Sequence, residues 1–198
     1  MKTYSYDQAI DAIGYGKFQR KLMWICGLGW AADAMEVLLI AYVLPAAGTE
    51  WGLTNGQKGL LGTAIFIGML AGAWFWGRLS DLVGRKIGFV GTVAIDSVFG
   101  LASAFSPNFI WLLILRMLTG FGVGGTLPVD YSIFAEYLPT RKRGRYLVLL
   151  EAFWALGAIL AAGLAWLIVP RLGWRALLAV SALPGLIGLV HPTQNGNT

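Results

Sequence analysis

Six ionisable residues stand inside long apolar stretches: Asp33, Glu36, Asp96, Arg116, Asp130 and Glu151. A charge at the middle of a bilayer costs on the order of 2.5–3.5 kcal/mol by insertion scales, so each is expected to face a partner or a wet cavity. Buried acids around an arginine can carry protons, exchange counter-charges or meet a polar solute. Asp33 and Glu36 are three positions apart and share a helix face, separated by about 60°. Arg116 and Asp130 are fourteen apart, nearly four whole turns, and do the same on another segment. Two ionisable groups on one face suggest an aqueous or ligand-lined surface. Trp30 and Trp154 are the tryptophans placed to stack on a ligand; the others fit packing and interface belts. No zinc, haem, phosphate-loop or nucleophile–base arrangement is visible, and Cys26 and His191 stand isolated. Nothing points to an enzyme or to a bound cofactor.

The elements that hold these residues follow from composition. Of 198 residues 57% are hydrophobic and only 13% charged, with a mean hydropathy of +0.67. Soluble domains run near 25% charged, so this surface is not built for water. The apolar content excludes disorder, and a single cysteine excludes a disulfide framework. Six stretches are long enough for the ~30 Å hydrocarbon layer, which takes about 20 helical residues. They are Leu22–Leu44, Gly59–Trp76, Ile87–Phe105, Phe109–Leu138, Tyr146–Val169 and Trp174–Val190. Breakers separate them at Pro45, Gly52, Thr54-Asn55-Gly56, Ser106-Pro107-Asn108 and Pro170-Arg171-Leu172-Gly173. No strand-like alternation persists, so a barrel is excluded. The expectation is an all-α polytopic membrane protein with six transmembrane helices in one bundle. Residues 1–21 would form an amino-terminal segment, 22–190 the bundle and 191–198 a polar tail. A short amphipathic piece around Tyr4–Phe18 would lie on the membrane.

Charge sets the orientation. Lys2, Lys17, Arg20 and Lys21 precede span one; Arg78, Arg85 and Lys86 follow span two; Arg141, Lys142, Arg143 and Arg145 follow span four. Only Lys58, Arg171 and Arg175 fall on the other side. The net charge of +5 therefore reads as topology rather than nucleic-acid binding, with both termini cytoplasmic. The first 21 residues, with Asp7 and Asp11, do not resemble a cleavable signal. At ~1.5 Å per residue, Arg116 lies roughly 10 Å and Glu36 roughly 13 Å below the outer ends of their spans, levels at which they can pair. Asp33 sits a turn deeper, and Asp130 and Glu151 share the cytoplasmic half. Asp96, alone in a bland span, reads as a bond to a neighbouring helix.

Three motifs sharpen this. After span two comes Gly77-Arg78-Leu79-Ser80-Asp81-Leu82-Val83-Gly84-Arg85-Lys86. Its glycines permit a tight cytoplasmic turn, Asp81 can face a helix amino terminus or a cation, and Arg85 with Lys86 anchor at headgroups. This resembles the G-x-L-x-D-x-x-G-R-K signature of the major facilitator superfamily. Arg116-Met117-Leu118-Thr119-Gly120-Phe121-Gly122-Val123-Gly124-Gly125 is similar to that superfamily's R-x-x-x-G-x-G-x-G-G helix, whose arginine is associated with proton coupling. Such glycines, like Gly68 and Gly72, let helix backbones approach closely within one protomer. The overlapping G-x-G-x-x-G is no dinucleotide site, because no strand precedes it. Glu136 to Arg145 resembles the E-x-x-P-x-x-x-R-G loop of sugar-porter-like branches, and Gly173-Trp174-Arg175 matches the opening of span six. The resemblance implies a cytoplasmic gate of Gly77, Asp81, Gly84, Arg85, Lys86, Glu136 and Arg143. Asp33-Ala34-Met35-Glu36-Val37 and Leu149 to Gly157 bring the chain nearest to bacterial niacin permeases and the synaptic-vesicle 2-related group.

That resemblance implies proton-coupled, alternating-access transport of a small organic solute, an organic or aromatic acid such as nicotinate. Arg116 would supply positive charge for substrate or coupling, Glu36 and Asp33 the proton-linked ionisation, Asp130 a further acid, and Glu151 with Trp154 the pocket lining. The proton gradient would be the energy source, and the bacterial inner membrane the site. Major facilitators have two six-helix bundles. This chain holds one, ends His191-Pro192-Thr193-Gln194-Asn195-Gly196-Asn197-Thr198 and has no basic residue after Arg175. A truncated or frame-shifted chain, a homodimer and a complementary carboxyl-terminal half are the alternatives. A lone bundle is expected to expose the Asp33, Glu36 and Arg116 face to lipid or to a second copy. The rival function is a non-transporting membrane assembly or receptor protein.

Overall fold

The computed structural model describes residues 10–12, 14–140 and 143–190, without the side chains of Arg85, Lys86 and 186–190. Its helices are α1 (Lys17–Glu50), α2 (Asn55–Val83), α3 (Arg85–Ser103), α4 (Phe109–Glu136) and a run over Arg143–Val190. Gly173, at φ 80° and ψ 172°, divides that run into α5 (residues 143–172) and α6 (residues 174–190), which makes six long helices among the described residues. The positive φ suits glycine, so the sharp bend falls there.

Polar caps start the helices where the sequence turns from loop to apolar. Thr54 Oγ1 accepts from Gln57 N at 3.3 Å while Gln57 Oε1 accepts from Thr54 N at 2.9 Å, a reciprocal cap for α2. Asn108 Oδ1 accepts from Trp111 N at 3.1 Å and starts α4. Two expected breaks move. Pro45 lies inside α1, which continues to Glu50. With little water to satisfy opened backbone, a helix carrying one missing N–H is cheaper than a loop. Gly77 to Val83 belongs to α2, so the whole turn between α2 and α3 is Gly84 at φ 98°. Its N–H bonds Ser80 O at 3.1 Å and its carbonyl accepts from Gly88 N at 3.2 Å, ending one helix and opening the next.

Glycine organises the packing. In lipid, helices gain no hydrophobic advantage from meeting, so close backbone contact must hold them. A side chain at Gly68 or Gly72 of α2 would strike the carbonyls of Met117 or Phe121; one at Gly120 or Gly124 of α4 would strike those of Ile65 or Met69. The two helices therefore interlock, each offering glycines four apart, as expected for packing within one protomer. Gly122 and Gly125 turn instead toward α3 and Trp76. α1 packs mainly on the α5–α6 run, and α3 on α4 and the same run. Apolar clusters close both ends. Leu39, Val43, Leu61, Leu112, Leu177 and Leu178 fill one; Cys26, Phe134, Leu138 and Leu150 fill the other.

At the end carrying the basic loops, the segment before α1 docks on the bundle. Thr140 N donates to Asp11 Oδ1 at 2.7 Å, and the Thr140 hydroxyl donates to the other oxygen. Tyr15 stacks on Tyr146 at 4.0 Å, and burial raises the phenol's pKa, keeping it the donor to Met23 Sδ. Of the expected surface piece around Tyr4–Phe18, residues 10–12 are helical and 17–18 open α1; residues 4–9 and 13 lie outside the described residues. So does the tail 191–198. At the opposite end Glu50 bridges Arg175 at 2.8 Å and accepts from Trp174 Nε1 at 2.8 Å, tying α1 to the start of α6.

Candidate functional site

The polar level of the bundle lies between the two apolar clusters, and Arg116 is its centre. α4 is flanked closely by α2 and α3, so its arginine has no route to the surface and is 0% exposed. Every side of the guanidinium is used. Nη1 bonds Glu36 Oε2 at 2.9 Å, Nε bonds Ser103 Oγ at 3.1 Å and Nη2 reaches Gly100 O at 3.4 Å. Glu36 Oε1 takes the Ser181 hydroxyl at 3.0 Å. Four helices thus meet at one ion pair: α1, α3, α4 and α6. A rigid planar fork suits this divided contact better than an ammonium would.

One turn from the pair, Asp33 Oδ2 accepts from Thr126 Oγ1 at 2.6 Å, joining α1 to α4. Asp130 stands a further turn along α4, 1% exposed, with Oδ2 unbonded among the described residues and close to Gly29 of α1. Asp96 of α3 is buried too, and its Oδ1 has no hydrogen-bond partner among the described residues. Beside these acids lies an aromatic group. Trp30 has Tyr131 at 6.1 Å and Trp154 at 6.2 Å between ring centres, and its own Nε1 is buried without an acceptor among the described residues. Trp30 is covered, Trp154 half-buried and Tyr131 exposed, so the group opens at one side of the bundle.

Several expectations are corrected here. The Asp33, Glu36 and Arg116 face does not look out at lipid or a second copy; these side chains are 4%, 2% and 0% exposed within this bundle. The face shared by Arg116 and Asp130 is likewise an interior one. The reason is the close approach of α2, α3 and α4 through glycine, which periodicity cannot register. Glu151 is exposed on α5 and does not join the buried acids. At the basic end, Gly77 is helical, Gly84 forms the turn, and Asp81 and Glu136 are exposed. Arg143 is half-buried, with Nη2 3.4 Å from Leu138 O. The side chains of Arg85 and Lys86 lie outside the described residues. Ser103, Thr126 and Ser181 were missed as partners because small hydroxyl residues in apolar helices carry no distinguishing spacing. Asp96 was visible and was read as structural.

A profile described as Major Facilitator Superfamily matches residues 18–193. The chain belongs to the major facilitator superfamily. It is 46% identical over 187 residues to organic cation/carnitine transporter 7 of Arabidopsis thaliana, covering 94% of this chain and 37% of that protein. Synaptic vesicle 2-related protein of Xenopus laevis is 44% identical, with coverage of 92% and 33%. Niacin transporter NiaP of Acinetobacter baylyi is 41% identical, with coverage of 89% and 40%. The chain thus spans between a third and two fifths of the length of these curated relatives. The inward-open xylose transporter XylE from E. coli superposes with a TM-score of 0.79 at 19% identity, over 89% of this chain and 48% of that one. As a major facilitator the chain is an integral all-α membrane protein whose relatives are transporters, not enzymes. The family and the branch expected from the motifs are the ones found.

Proposed function

We propose that the chain is the amino-terminal six-helix half of a carrier that moves a small organic solute by proton-coupled alternating access. The Glu36–Arg116 pair, 2.9 Å apart and enclosed on every side, carries this reading. When the acid of a sealed ion pair gains or loses a proton the arginine must change partners, and that exchange is a means of linking proton movement to conformation. The enclosure supports a coupling role for Arg116 over direct contact with solute. Asp33 and Asp130 are the further proton-linked acids. The aromatic group of Trp30, Tyr131 and Trp154 supports a solute with a flat or cationic nitrogen centre, and Glu151, three residues before Trp154, would line the same pocket.

The solute class we assign is a small organic acid bearing such a nitrogen. One relative is named for niacin and another for organic cations and carnitine. A pyridine ring would stack on the indoles, and a quaternary nitrogen would sit against them through cation–π attraction. Gly77, Asp81, Gly84, Arg85, Lys86, Glu136 and Arg143 would form the cytoplasmic gate, with both termini inside a bacterial inner membrane. A complementary six-helix half or a second copy would complete the cavity. The test is uptake of labelled nicotinate and carnitine into proteoliposomes, with the complementary half supplied, with and without a proton gradient. Gradient-driven accumulation that Arg116→Ala abolishes without impairing insertion is the expected result. A folded protein that moves neither solute under a gradient would favour the assembly or receptor reading.

A further inference from the structure

The closed pair poses a problem for any proton cycle. If Glu36 takes a proton, Arg116 remains as an uncompensated cation with no exposure, the costly consequence of breaking a buried pair. A second acid able to trade charge with Glu36 removes that cost. Asp96 is placed to do so. It lies on α3, four residues before Gly100 and seven before Ser103, so the three share a face. Gly100 O and Ser103 Oγ are the two α3 groups that accept from Arg116. Asp96 therefore lies on the same face of α3, about one helical turn along from Gly100, against which Glu36 Oε1 also packs.

Two observations set Asp96 apart from an ordinary helix tie. Its side chain is 7% exposed, yet Oδ1 has no hydrogen-bond partner among the described residues. Its backbone is also pressed against α4. A Cβ at Gly122 would fall 2.5 Å from Asp96 N and 2.8 Å from its Cβ, so the carboxyl is held at the α3–α4 seam. The charged groups facing it are Asp33 and Glu36 from α1 and Arg116 from α4. Nearby, α2 brings Trp76 against Gly91 and Gly125, and α6 brings Gly185 against Ser97 and Ser181 against Glu36, none of them titratable.

We infer that Asp96 is the alternate counter-ion of Arg116, exchanging a proton with Glu36 as the carrier cycles. In one state Glu36 is the carboxylate and Asp96 the acid. In the other, the O–H bond at Asp96 Oδ1 has broken, one has formed on Glu36, and Asp96 is the carboxylate. The summed charge of the three groups is zero in both, so Arg116 never stands alone. This inference deepens the proton-coupled reading and rests on it, but its test reads charge rather than transport.

The experiment is infrared difference spectroscopy on the purified chain in lipid nanodiscs at neutral pH. The wild-type chain should show a protonated-carboxyl C=O band that Asp96→Asn removes. Glu36→Gln, which withdraws the first counter-ion, should convert that band into a carboxylate signal. Absence of an Asp96-dependent band, or its survival in Glu36→Gln, overturns the inference. Thermal unfolding gives an independent measurement. The Glu36→Gln/Asp96→Asn double variant should melt lower than the two single shifts added together, because Arg116 then has neither partner; additive shifts overturn the inference. If the spectra behave as expected but gradient-driven uptake is never seen, the carrier reading fails and the counter-ion exchange stands. If uptake is gradient-driven but Asp96 keeps its proton in Glu36→Gln, only the role of Asp96 fails.

Discussion

The Ser181 hydroxyl lies 3.0 Å from Glu36 Oε1, on the carboxylate oxygen opposite the one that takes Arg116 Nη1. That contact connects α6 to an ion pair otherwise built from α1, α3 and α4. The same hydroxyl is 2.9 Å from its own helix's Leu178 O, so it has a second place to send its proton. Ser181→Ala would leave Glu36 Oε1 without this donor inside the bundle. A loss of about 1 kcal/mol is expected, seen as a lower melting temperature in detergent. Ser181→Thr should recover part of it, and an unchanged melting temperature in Ser181→Ala would show the contact to be idle.

Arg116 is predicted to be intolerant in two distinct ways. Arg116→Lys keeps the charge beside Glu36 but drops the Nε contact to Ser103, at a cost of about 1 kcal/mol. Arg116→Ala leaves Glu36 as a buried acid without its cation, which costs about 3–5 kcal/mol when a buried pair is broken. Adding Glu36→Gln to Arg116→Ala should restore part of the stability. Unfolding curves of the three variants measure this, and a double variant no better than Arg116→Ala would refute the pairing argument.

The glycines of α4 and α5 should respond oppositely to the same change. Gly124→Ala places a methyl against Met69 O and must push α2 away from α4, whereas among the described residues Gly163 has nothing within 4 Å of an added Cβ. Gly163→Ala is therefore expected to be neutral or to stabilise by up to about 1 kcal/mol through helix propensity. Gly124→Ala should lower both yield and melting temperature. Equal effects at the two positions would mean that the α2–α4 contact is not what holds the bundle.

Topology can be checked without any transport assay. Single cysteines replacing Lys21 and Lys58 should react with an impermeant thiol reagent from opposite sides of intact cells, after Cys26 is changed to serine. Tags at Met1 and Thr198 should both be shielded from outside. An externally accessible tag at either end would remove the six-span assignment, since an even number of crossings returns the chain to its starting side.

The sequence by itself determined the helices, their number and the family. Apolar length against bilayer thickness is a one-dimensional property, and the motifs around Asp81, Arg116 and Glu136 are local. It also permitted the Glu36–Arg116 pairing, because depth along two helices follows from residue count alone. It misjudged Pro45, where helix persists since opened backbone inside the bilayer has no water to turn to, and Gly77, where helix runs on until the positive φ of Gly84 ends it. Which way the acids face was decided only in three dimensions. Helix periodicity shows that Arg116 and Asp130 share a face but not whether that face meets lipid, a cavity or another helix. The tertiary structure turns it inward because Gly120 and Gly124 bring α2 onto one side of α4, Gly122 brings α3 onto another, and Arg116 and its acids are covered between the helices.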